Sequence, residues 1–122
     1  MSTSWRVILS GRFWNQKKFE EDFIMRPEMQ RLAQSKGRCR MVVCPRVGDH
    51  VFFVMRNKIV MRGTVESNGF EKGTYHQRHS CHIGINRAHA IPDEFVWIRI
   101  EEIGLSENIR STGRRTWAKM PV

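Results

Sequence analysis

The chain has 122 residues, 40% of them hydrophobic, and a formal net charge of +9 from 21 Lys and Arg against 12 Asp and Glu. That size and apolar content predict one folded domain spanning 1–122 and exclude a disordered chain, and no run nears the ~18–20 apolar residues of a membrane span. The N-terminal MSTSWRVILSG lacks the charged start and apolar length of a signal peptide, and three cysteines, an odd number, argue against a secreted disulfide framework, so an intracellular setting, cytoplasmic or nuclear, is expected.

In chain order, WRVIL (5–9) reads as a strand with Trp5, Val7 and Leu9 on one face. Residues 16–36 read as helix, with Phe19, Phe23, Met29, Leu32 and Ala33 forming the apolar stripe. Pro27 divides it, which predicts two short helices. Residues 40–44 read as a short strand ended by Pro45, and Val47-Gly48-Asp49 as a turn. Strands follow over 50–56 and from 58 or 59 to 66, with Asn57-Lys58 as the hairpin turn, because asparagine tolerates positive φ. The polar stretch 67–82, SNGFEKGTYHQRHSCH, has no periodicity and reads as a long exposed loop. A strand is expected over 81–86. FVWIRIEEI (95–103) is the clearest strand, with Val96, Ile98 and Ile100 facing one way and Phe95, Trp97, Arg99 and Glu101 the other. A loop or short helix over 104–113 and a closing strand over 114–120 complete the chain. Helices do not alternate with the later strands, so the pattern predicts an α+β domain: a small barrel-like sheet of about five to six strands with short flanking helices.

Three features carry a family resemblance. They are a tryptophan-bearing first strand followed by Phe13-Trp14-Asn15 before a helix, the stretch VGDHVFFVMRNKIVMRGTVES, and the late GRRTWAKM. Together they resemble the PUA-like superfamily, and within it the EVE-type domains related to YTH and ASCH domains. The resemblance covers most of the chain, in order. It implies a small β-barrel that binds RNA or DNA and holds a modified base, for example a methylated one, in an aromatic cage. The ASCH nuclease pattern G-x-K-x-x-E-x-R is not matched, because GRFWNQKKFEE spaces its lysines and glutamates differently.

A base-reading pocket needs aromatic walls, amide or backbone groups at the base edge, and cations for the flanking phosphates. Trp14 is the first wall candidate, at the junction of strand and helix, although the same position suits packing beneath the helix. Asn15 offers a paired donor and acceptor for a base edge, or a helix N-cap; one amide cannot do both. Phe52 and Phe53 alternate across their strand, one toward the core and one, assigned here to Phe53, toward the pocket. Trp97 shares a face with charged residues and serves either as a wall or as a sheet-surface residue. Trp117 lies among cations, which fits nucleic-acid contact, or it closes the core. Ser10 and Gly11 would let backbone approach a base.

The charge excess points to a polyanionic partner, first of all nucleic acid. Phosphate contacts are expected from Lys17, Lys18, Arg38 and Arg40 on one side and Arg110, Arg114, Arg115 and Lys119 on the other, two groups that a small barrel could bring together. No cofactor is called for.

YHQRHSCH holds His76, His79, Cys81 and His82, ligand types that suit zinc, but H-x-x-H-x-C-H matches no standard finger and no C-x-x-C is present, so no metal site is assigned. Phosphate-cradling, nucleophile-elbow and zincin motifs are also missing, and no catalytic residue is assigned. Two alternatives remain: a histidine-dependent ribonuclease of ASCH-like kind, using that loop for acid-base work, and a small zinc-stabilised assembly protein.

Overall fold

The computed structural model describes residues 2–9, 14–25, 30–35, 43–69, 71–72, 94–110 and 116–120. Along the chain these form β1 (Ser4–Ile8), α1 (Gln16–Met25), β2 (Arg31–Ser35), β3 (His50–Met55), β4 (Lys58–Val65), β5 (Glu71–Lys72), β6 (Glu94–Glu102), β7 (Glu107–Asn108) and β8 (Trp117–Lys119). All eight strands belong to one mixed sheet, ordered β2-β6-β4-β3-β1-β8, with β5 on β6 and β7 on β4. The α+β class is as expected. The closed barrel is not found: β2 and β8 end the path at opposite sides, so the sheet stays open among the described residues. One helix, rather than several, is seen there.

The first strand forms as its alternation predicts, with Trp5 at 3%, Val7 at 0% and Leu9 at 7% exposure. It runs parallel to β3 and antiparallel to β8. The parallel pairing needs a crossover, which α1 and β2 supply between the two strands in sequence.

Asn15 caps α1: its side-chain oxygen accepts the Lys18 N–H at 3.0 Å, and its carbonyl accepts the Phe19 N–H at 3.1 Å. Phe19 is buried against Trp14 and Phe23 at ring separations of 5.1 and 6.1 Å. The described helix runs to Met25.

The second expected helix is a strand. Residues 31–35 form β2, antiparallel to β6, with Leu32 opposite Ile98 and both buried. A lone Leu-Ala pair fits either periodicity, and sheet pairing decides the outcome.

The β3–β4 hairpin turns one residue earlier than expected. Arg56 and Asn57 hold φ of 50° and 64°, and Lys58 already belongs to β4. Positive φ at both central residues marks the turn whose twist matches the flanking strands. Val96, Ile98 and Ile100 of β6 are buried as predicted, and Phe95 on the opposite face is buried too. β5 lies within the stretch expected to be loop, and β7 within the loop or short helix expected over 104–113. Residues 43–44 carry no strand. The strand expected over 81–86, and most of the histidine-bearing loop, fall outside the described residues.

Between Arg62 and Gly63 the β4–β6 register shifts, and the two backbones come close. A Cβ on Gly63 would sit 2.6 Å from the Arg99 carbonyl oxygen and 2.6 Å from the Ile98 side chain. Gly63→Ala should therefore destabilise the fold by about 1–3 kcal/mol, read as a lower denaturation midpoint with an unchanged m-value.

Candidate nucleic-acid interface

The turn over Val47–Gly48 places a carboxylate inside the fold. Gly48 takes φ +92°, which a side chain would resist, and donates its N–H to Val65 at 2.9 Å. The turn closes with the Asp49 N–H on the Arg46 carbonyl at 3.0 Å, and the Val65 N–H returns to the Asp49 carbonyl at 2.8 Å. Asp49, 6% exposed, accepts three N–H bonds at its side chain, each 2.9 Å long: Thr3 N–H on Oδ1, and the Trp5 indole N–H and Arg46 N–H on Oδ2. Burial alone would raise its pKa. The bonds from Thr3, Trp5 and Arg46, with the Arg46 charge, outweigh that and hold it below its ordinary 3.8.

Beside this carboxylate lies a groove of about 510 Å³, lined by Thr3, Trp5, Val43, Cys44, Arg46 and Val47 among others. Arg46, Val43 and Val47 are exposed. The Lys119 ammonium lies over the Trp5 ring, 5.8 Å from its centroid.

The aromatic residues expected as pocket walls sit mostly in the core. Trp14 is 7% exposed, stacked on Phe19, and its indole N–H donates to Gln16 Oε1 at 2.7 Å. Phe53 is fully buried. Trp117 is 1% exposed and meets Trp5 edge to face at 6.1 Å. None of these three rings presents a face to a base. Asn15 is exposed, and its side-chain oxygen is engaged as the cap. Ser10 and Gly11 fall outside the described residues. Trp97 remains half-buried, packed against the core edge to face with Phe95 at 5.7 Å, and Arg31 lies over its ring at 5.1 Å.

The cations divide into two kinds. On the outer face of the sheet they are matched by acids. Glu66 takes Arg31 and Arg99, each at 2.7 Å. Arg62 donates to Glu102 at 2.6 Å, a bond that holds its guanidinium above its ordinary pKa, and Thr64 bonds Glu101. The second kind is exposed and forms no ion pair among the described residues: Lys17, Lys18, Arg46, Arg56, Lys58, Arg110 and Lys119.

Five of these seven lie toward one end of the sheet. Arg56 and Lys58 flank the hairpin tip, and Lys58 opposes Asn108 in β7. The Ile109 N–H bonds the Asn57 carbonyl at 3.1 Å, which brings Arg110 to the same end. Lys17 and Lys18 lie in the first turn of α1, within a turn of Glu20. Glu20 ties the helix there by accepting the Gly104 N–H at 3.2 Å, beside Leu105, whose own N–H bonds Val60.

Of the residues expected to contact phosphate, Lys17, Lys18 and Arg110 thus lie toward the same end of the sheet. Lys119 does not join them, since it opposes Trp5 at the other end. Arg38, Arg40, Arg114 and Arg115 fall outside the described residues. Arg56, Lys58 and Arg46 were not singled out from sequence; the two cations bracketing Asn57 were the available signal.

No groups of three or more metal-ligating side chains occur among the described residues. No helix of those residues is long and apolar enough to cross a membrane. No protein-family model, curated protein or solved structure matches the chain.

Asp49→Asn puts an amide donor against the donors now bonded to the carboxylate. It should cost about 2–4 kcal/mol at neutral pH. Because the folded-state pKa is depressed, the carboxylate's contribution is full above the ordinary 3.8 and is lost as pH falls through the lower folded value. Denaturant titrations of both proteins across pH should show the gap closing in that acid range. Asn15→Ala should cost about 1 kcal/mol of stability.

Proposed function

We propose that this chain is a nucleic-acid-binding domain of PUA-like kind, which docks the phosphate backbone at the hairpin end of its sheet. The observation that carries this reading is a group of cations held in no ion pair, which outnumber the acids Glu20, Glu21, Asp22 and Glu107 on the same elements. The cations of the outer face are matched by acids, while Lys17, Lys18, Arg56, Lys58 and Arg110 stand exposed toward one end and form no ion pair among the described residues. Like charges held together repel one another, and a polyanion relieves that repulsion while releasing its own counterions. The Gly-Asp turn followed by an aromatic strand supports the superfamily resemblance.

Selection of a modified base belongs to the same proposal, but not through a cage of Trp14, Phe53 and Trp117, whose rings are engaged in the core. The remaining aromatic candidate is Trp97, a half-buried ring with a cation over one face.

The test is binding to matched single-stranded and duplex oligonucleotides, RNA and DNA, with and without one methylated base, across a salt series. Affinity should fall steeply with salt. Lys17→Glu and Arg56→Glu should each flatten the log–log slope by about one for every phosphate that the protein no longer neutralises, with unchanged thermal midpoints. A flat salt response would sink the reading. A steep response with no preference for the methylated base would keep backbone docking and remove base selection.

A further inference from the structure

We propose that the groove beside Asp49 is a nucleotide subsite, with Arg46 holding the phosphate and Val43 and Val47 flanking the base. The inference rests on the nucleic-acid reading but concerns the opposite end of the sheet. The groove's volume, about 510 Å³, falls within the range of small-ligand sites.

Its chemistry is mixed in the way a nucleotide requires. The Asp49 carboxylate is no ligand group, because its oxygens are turned to the Thr3, Trp5 and Arg46 N–H donors, bonds that fix the floor. Arg46 is the cation of the lining and is exposed with no acid bonded to its guanidinium among the described residues. The Asp49 charge is taken up by its N–H donors, which leaves the exposed Arg46 guanidinium as the group of the lining that suits an anionic occupant.

The apolar part has an equally specific place. Val43 and Val47 are 46% and 57% exposed, and both line this groove. The other large exposed hydrophobics among the described residues, Ile24 and Met25, lie at the end of α1. Trp5, 3% exposed, closes the floor and is not a stacking platform. Ser2 and Thr3 hydroxyls and the Cys44 thiol supply polar groups at the rim, where a base edge would lie.

Cys44 makes the site readable, because an occupant of the groove must cover its half-buried thiol. The full chain would be treated with iodoacetamide alone and with each of the four ribonucleoside 5′-monophosphates, inorganic phosphate, or a single-stranded oligonucleotide, and alkylation of Cys44 mapped by mass spectrometry. At least one nucleotide should slow alkylation, and phosphate should do so less. Arg46→Glu should weaken that protection by about tenfold in ligand concentration, the loss expected from one charge-assisted contact. Its backbone N–H to Asp49 is retained, and an unchanged melting midpoint would show that the fold is intact.

Equal protection by phosphate and nucleotides would overturn the nucleotide assignment. Salt-sensitive oligonucleotide binding with no protection of Cys44 by any probe would overturn the groove proposal and leave docking at the hairpin end standing. Protection by a nucleotide without oligonucleotide binding would support the groove and sink the docking reading.

Discussion

The buried carboxylate of Asp49 is the constraint on which one whole end of the fold depends. Its three N–H partners come from three places in the chain: the segment before β1, the core face of β1, and the turn leading into β3. The same bonds therefore fix the register of the parallel β1–β3 pair, in which Ser4 lies opposite His50 and the His50 N–H reaches the Thr3 carbonyl. Parallel pairing has no hairpin to set it, so a side-chain latch takes the role that a tight turn plays elsewhere. Charge-assisted bonds of this kind contribute roughly 1.5–3 kcal/mol each, a large share of a small domain's net stability of about 5–15 kcal/mol.

With that register set, the aromatic residues have little freedom. An open sheet buries one face against whatever large side chains the chain provides. Three of the four tryptophans, Trp5, Trp14 and Trp117, go to that core, together with Phe19 and Phe53. Trp117 opposes Val7 across the β1–β8 pair, which puts it inside whatever the charge of its neighbours. A tryptophan among arginines in sequence is thus a core residue, and Lys119, two positions on and on the same face, is exposed where the strand ends. Aromatic-basic interleaving in a sequence and an aromatic-basic surface in space are separate properties.

The strands over 4–8, 50–55, 58–65 and 94–102 were legible because alternation and branched residues agree there with burial. β2 was not, since RLAQS has one large apolar residue and derives its state from pairing with β6. The open edge was not legible either: whether a sheet closes depends on which strands end its path, and local pattern holds no information about that. In the candidate site, the cap at Asn15 was visible as one of two uses of an amide, and the helix took it. Asp49 was visible only as half of a Gly-Asp motif. Its role needs Thr3 and Trp5 some 44 to 46 positions away, a separation that sequence spacing does not reveal.

The two candidate contact regions lie at opposite ends of the same strands. β3 runs from His50, next to the Asp49 turn, to Met55 at the hairpin, six residues, or about 20 Å at ~3.4 Å per residue. Phosphates along one strand of a B-form helix advance by about 3.4 Å each, so a chain engaging both regions would span on the order of six nucleotides. A shorter oligonucleotide can occupy either region but not both, whereas a longer one gains the second contact intramolecularly, at an effective concentration set by the intervening nucleotides. Affinity would then rise stepwise with length rather than in proportion to charge. The backbone-docking end would supply the salt dependence and the groove any preference among bases, because phosphate contacts position a nucleic acid while only contacts to the bases carry its sequence.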